Sequence, residues 1–274
     1  MSGVVTRDAR PVPLGRRSVA LLALTSAVAV VAFGWPLLAS PGSGLAHGGD
    51  APWLFAALLP LLIAVVIAQV AEGRDAGQPG LDAKAVALLG VLAAAGAALR
   101  PLGAGTAGLE PTFFLMVLSG RVLGPGFGFV LGNLSLFASA LLTGGVGPWL
   151  PFQMLAMGWV CLGAGLLPGG RRGRGERWLL AVYGALAAEC YGLVMDLQGW
   201  PWIAGLGSGI SFQAGAPLSE NLPRFLVYHL TTAMGWDLPR SALTAVLCLT
   251  LGRPVLLTLR RATRRAAFVP GEPG

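Results

Sequence analysis

The sequence predicts an all-α integral membrane protein, on the strength of its composition, the length of its apolar segments and the placement of its arginines. Of 274 residues, 55% are hydrophobic and only 11% charged, with a mean hydropathy of +0.71. That is more apolar surface than a water-soluble domain of this size can hide. Eight stretches reach or approach the ~20 apolar residues that a helix needs to cross the hydrocarbon core. The formal charge is +7, and almost all of the basic charge is arginine, Lys84 being the only lysine. A nucleic-acid partner would call for basic residues interleaved with polar and aromatic ones on soluble elements; here they cluster between apolar runs and report orientation in a bilayer.

Two spans come first, 18–39 and 52–71, joined by the glycine-rich "SPGSGLAHGGDA". Arginines ahead of the first apolar core resemble a signal peptide, but Pro41 after "LLAS" is a poor cleavage context, so a retained span is expected. The polar run "EGRDAGQPGLDAK" marks the clearest boundary, with a linker over 72–82. Six further spans follow at 83–99, 111–123, 124–143, 151–168, 178–197 and 239–259. A Gly/Pro-rich loop at 198–221 and an amphipathic piece at 222–236, either interfacial or an extension of the last span, separate the final two. The expected organisation is a tail (1–17), a two-helix segment (18–71), the linker, a six-helix membrane domain (83–262) and a second tail (263–274).

Threading the spans alternately puts Arg7, Arg10, Arg16, Arg17, Arg74, Lys84, Arg121, Arg171, Arg172, Arg174, Arg177 and the tail from Arg253 to Arg265 on one side. Arg100, Arg224 and Arg240 fall opposite. By the positive-inside rule both termini are cytoplasmic and the protein is a multi-pass component of the plasma membrane.

Several chemistries lack their residues. With Lys84 in "DAKAV", the phosphate-cradling GxxxxGK[ST] loop is absent, and so are a G-x-S-x-G elbow and an H-E-x-x-H helix. Enzymatic activity is not expected, and no cofactor is implied. Cys161, Cys190 and Cys248 lie in apolar segments, where thiols act as small hydrophobes, and imply no disulfides. His47 and His229 read as too few and too isolated for a histidine-based metal site.

What remains are small-residue stripes and membrane-embedded polar groups. In 83–99, Gly90, Ala94 and Ala98 recur four apart, with Ala93 and Ala97 beside them. Such a face lets another helix approach closely, either a partner's or one of this chain's own. Gly124, Gly128, Gly132, Ser135 and Ser139 form a comparable stripe, read as internal packing, with Asn133 placed to bond across helices. Glu189 and Asp196 are seven residues apart and face into the bundle, where each is expected to be protonated or paired with Arg100 or Arg224. A structural ion pair and a ligand contact are both open for them.

On the side opposite the arginines, Arg100 and Glu110 bracket "PLGAGTAGL", and Trp149 and Gln153 stand one turn apart. "DLQGWPWIAG" supplies Gln198, Trp200 and Trp202, while "RFLVYHLTTAMGW" puts Arg224 and Tyr228 on one face, with His229 and Trp236 on another. Singly, such aromatics are membrane anchors. Together with amide and charged groups they are what a small organic ligand needs to be buried and oriented.

From residue 83 to the C-terminal arginines the chain resembles the substrate-binding S component of energy-coupling factor (ECF) vitamin transporters. The resemblance rests on the alanines at AxxxA spacing, on "GRVLGPGFGFVLGNLS" and "GGVGPWLPFQMLAMGW", and on the ending "MGWDLPRSALTAVLCLTLGRPVLLTLRR". It implies a six-helix S-component bundle, here with two additional N-terminal helices. It also implies an outer vitamin pocket built from Arg100, Glu110, Trp149, Gln153, Glu189, Asp196, Gln198, Trp200, Arg224 and Tyr228, with Pro148 and Pro151 fixing the turn that aims Trp149 and Gln153. Gly90, Ala93, Ala94, Ala97 and Ala98 would dock on a transmembrane coupling subunit driven by two cytoplasmic ATPases. The alternative is a stand-alone secondary transporter or channel using Glu189 and Asp196 as a proton or cation relay; a lipid-modifying enzyme with His229 or Glu189 as acid/base has no motif behind it.

Overall fold

A computed structural model describes residues 15–38, 59–68, 83–103, 107–169, 173–203 and 209–266. Among them every regular element is a helix. These are α1 (Arg16–Leu38), α2 (Leu59–Ala68), α3 (Ala83–Leu102), α4 (Thr112–Leu123), α5 (Pro125–Thr143), α6 (Leu150–Leu166), α7 (Arg174–Ile203), α8 (Leu218–Tyr228), α9 (Met234–Thr250) and α10 (Gly252–Ala266). Four of them, α1, α3, α5 and α7, are long and apolar enough to cross a membrane, and the bent assembly of α8 to α10 counts as a fifth when taken as one span. The chain is a helical, multi-pass membrane protein.

Glycines set how closely the helices approach. A Cβ at Gly120, Gly128 or Gly132 would meet the α6 backbone at Cys161 or Met157, and one at Gly165 would meet Gly124 and Pro125. α4 and α5 therefore lie backbone-to-backbone on α6, where dispersion is strongest. The stripe from Gly124 to Ser139 is thus internal packing, and Gly124 (φ 90°) joins α4 to α5 in a single residue. Asn133 does not bond across helices: its Nδ2 donates to the Phe129 carbonyl one turn back, at 2.8 Å. Gly158 makes room for that amide.

Three expectations change. The segment 111–123 is not a span by itself: α4 has 12 residues, ~18 Å of helix against a hydrocarbon core of ~30 Å, and is enclosed on nearly every side. The expected last span, 239–259, is two helices, because the chain bends by 71° between Leu218–Thr250 and Gly252–Arg264. Its arginine-rich C-terminal half has a strongly polar face that hydrocarbon would not solvate. The expected loop 198–221 begins as helix, since α7 runs on through Gln198 and Trp200 to Ile203. Half of the 52–71 expectation, the linker 72–82 and most of both tails lie outside the described residues.

α1 is part of the bundle and shares its core. Trp159 donates its indole N–H to Ser26 at 2.9 Å, Phe33 meets Phe152 edge-on at 5.2 Å, and Trp35 meets Phe212 at 5.7 Å. The arginine-rich end is tied by Glu176, whose carboxylate accepts from Arg121 Nε (3.1 Å) and Arg260 Nη2 (2.6 Å). Arg121 also donates to the Leu167 and Pro168 carbonyls, so one buried carboxylate links α4, α7, α10 and the turn after α6.

Candidate functional site

At the opposite end, polar side chains from six elements meet below the surface. Arg240 is at the centre. It projects from the first turns of α9, donates from Nη1 to Asp237 Oδ1 at 2.6 Å, and holds Glu110 at an ion-pair distance of 3.7 Å. Its guanidinium lies 5.4 Å from the ring centre of Phe113 (α4) and 5.5 Å from that of Tyr191 (α7), so two aromatic faces take part of the work that water would do for a buried cation. Phe113 and Tyr191 brace each other edge-on at 5.0 Å.

Asp237 can sit there because residue 192 has no side chain. A Cβ at Gly192 would collide with the Asp237 carboxyl, so glycine on α7 is what lets the carboxylate lie against that helix. Asp196, one turn further along α7, pairs with His229 Nδ1 at 2.8 Å. His229 opens a π-helical turn, His229–Ala233, between α8 and α9. Such a turn carries one extra residue and rotates the helix before it relative to the helix after it, a device frequent at functional sites. Here it brings His229 and Asp237, eight positions apart, to the same cluster. Ligand-type atoms of Asp196, His229 and Asp237 all lie within 4.8 Å of one another.

Beside this cluster, Trp200, Phe225 and Tyr228 form a closed aromatic layer: Trp200 and Tyr228 stack at 6.5 Å, and Phe225 stacks on the His229 ring at 6.0 Å. Trp200 donates its N–H to the Ile210 carbonyl at 2.8 Å. Asn221 bonds Gln213 in both directions, which folds the segment before α8 over the layer.

The residues singled out from the sequence divide accordingly. Arg100 Nη2 donates to Gln153 Oε1 at 3.0 Å, and Glu110 and Asp196 join the charged cluster. Asp196 pairs with His229 instead of Arg100 or Arg224, whose guanidiniums are drawn to Gln153 and to the Gly209 carbonyl. Trp200 and Tyr228 belong to the aromatic layer, and Gln198 is buried. Trp149 is 46% exposed and returns its indole N–H to Gly145 in its own loop, so the proline turn does not aim it inward. Glu189 lies two turns before Asp196, with Oε1 buried and without a hydrogen-bond partner among the described residues. Of the small-residue face of α3, Ala93 and Ala97 are buried within the chain, whereas Gly90, Ala94 and Ala98 are exposed. Only that second row is open to a partner.

Asp237 and Arg240 were not among the expected site residues, and His229 was expected to be an isolated packed residue. The signal was present in "MGWDLPR", an Asp and an Arg three apart in a helix, but i,i+3 ion pairs are ordinary on surfaces. What distinguishes this pair is burial.

No protein-family model matches the chain, and no curated protein or solved structure matches it significantly. The class that fold and site define is therefore a helical membrane protein with a buried charged cluster at the end opposite its arginines.

Proposed function

We propose that the chain is the substrate-binding membrane subunit of an ECF-type importer, with residues 83–262 as its S-component bundle and α1 and α2 as additions to it. It takes up a vitamin or related micronutrient on the outer side and docks on a transmembrane coupling subunit driven by two separate ATPases. On the positive-inside rule the arginine-rich end is cytoplasmic, which puts the Glu110–Arg240–Asp196 end outside, in the plasma membrane. The observation that carries this reading is the open edge of α3. Gly90, Ala94 and Ala98 line one exposed side, with Val86 and Val91 alongside, and a Cβ at Gly90 would meet nothing among the described residues. A flat apolar edge of this kind suits close packing against a second membrane protein. The test is affinity purification of the tagged chain from its native membranes; recovery of a coupling protein with two ABC-type ATPases is expected, and a chain that purifies alone sinks the reading.

A second reading, a stand-alone cation-coupled transporter, is favoured by one observation: Asp196 sits with His229 and Asp237 in a span, where carboxylates mark ion pathways. Substrate uptake into proteoliposomes containing this chain alone, driven by an ion gradient, would decide for it.

A further inference from the structure

We propose that Asp196, His229 and Asp237 form a binding site for one divalent transition-metal ion. The site depends on neither mode of transport. Each residue comes from a different element, α7, the π turn and α9, and each offers a ligand atom within 4.8 Å of the other two. With metal–ligand bonds of about 2.1 Å, two ligand atoms on a tetrahedral ion stand about 3.4 Å apart. The three ligand atoms are thus close enough for one ion to reach all of them once the side chains reorient around it.

The independent observation is Asp237 Oδ2. Asp237 is only 2% exposed; its Oδ1 is taken by Arg240, while Oδ2 is buried with no hydrogen-bond partner among the described residues. A buried carboxylate oxygen without a donor is costly. The Asp196 carboxyl lies within hydrogen-bonding reach of Asp237, so the two acids share either a proton or a cation. Charge makes the same point. Asp237 and Glu110 pair with Arg240 and Asp196 pairs with His229, while the guanidinium of Arg100 is turned to an amide. A dication at the trio, bound in place of a shared proton, supplies both a partner for Oδ2 and compensating positive charge.

The surroundings are those of a built site. Phe225 stacked on the imidazole fixes its plane, Gly192 vacates the volume that the Asp237 carboxyl needs, and the π turn sets His229 against α7. One imidazole and two carboxylates, with no thiolate, suit zinc, cobalt, nickel, manganese or iron(II) better than copper(I) or an all-oxygen calcium site. Three protein ligands leave a coordination position free for a small donor.

The test uses the full-length chain carrying Cys190→Ser, which removes the exposed thiol, stripped with chelator in detergent and titrated with Zn2+. The expected result is one tightly held zinc per chain, with affinity lower by at least about tenfold in His229→Gln and in Asp196→Asn. A readout that needs no substitution in the cluster is protection of His229 from diethyl pyrocarbonate by Zn2+, read by mass spectrometry with His47 as internal reference. Absence of stoichiometric zinc, unaltered affinity in both variants, or His229 modified equally with and without Zn2+ each overturns the proposal.

Discussion

Gly192 and Asp237 are in direct contact: the carboxyl group of Asp237 occupies the space that a Cβ at position 192 would fill. The charged cluster is thereby set by a missing side chain on a neighbouring helix. Gly192→Ala is expected to push Asp237 off α7 and destabilise the protein by about 1–3 kcal/mol, as overpacking does in tight cores. Thermal unfolding in detergent reads it, and an unchanged Tm would show that the contact constrains nothing.

Glu176 is expected to dominate the stability of the arginine-rich end. Its carboxylate is nearly inaccessible and serves Arg121 and Arg260 at once. Glu176→Ala leaves the largely buried Arg121 without its carboxylate, at a cost of roughly 3 kcal/mol, toward the lower end for a buried pair because Arg260 reaches solvent. Chemical denaturation of wild type and variant, with Arg121→Met as a partial rescue, measures this; equal midpoints would contradict the staple.

The two rows on α3 separate folding from docking. Ala97 is 0% exposed and Ala94 is exposed, although both belong to the same alanine-rich run. Ala97→Trp is expected to overpack the interior and lower the Tm, whereas Ala94→Trp is expected to leave stability within about 0.5 kcal/mol of wild type. Under the importer reading Ala94→Trp also abolishes co-purification with partner subunits. Size-exclusion profiles, melting curves and pull-downs of the two variants side by side check both statements, and a destabilised Ala94→Trp would mean that the edge is not free.

Two tryptophans that look alike in the sequence should behave differently. Trp200, fully buried between Phe212, Phe225 and Tyr228, is expected to cost about 3–5 kcal/mol on truncation to alanine. Trp149, half-exposed on its own loop, should cost under about 0.5 kcal/mol, in the range of ordinary surface changes. Denaturation midpoints of the two variants decide it; similar losses would put Trp149 inside the fold.

The sequence by itself determined that the protein is helical and lives in a membrane, because segment length and hydropathy answer directly to the bilayer as solvent. It also located the start of most helices to within a few residues and separated the arginine-rich end from the other, since those signals are local along the chain. It marked Glu189 and Asp196 as polar groups too costly in a span to be casual, and Arg100 and Glu110 as candidates in an outer loop. Only the tertiary structure decided their partners. Asp196 finds His229 across 33 positions, and Arg240 finds Glu110 in a distant turn while stacking on Phe113 and Tyr191. The same holds for Ala94 and Ala97, since periodicity shows that a helix has a small-residue side but not which side its neighbours cover. Pairing and burial depend on how helices far apart in sequence pack, and that depends on volumes such as the empty Cβ position at Gly192.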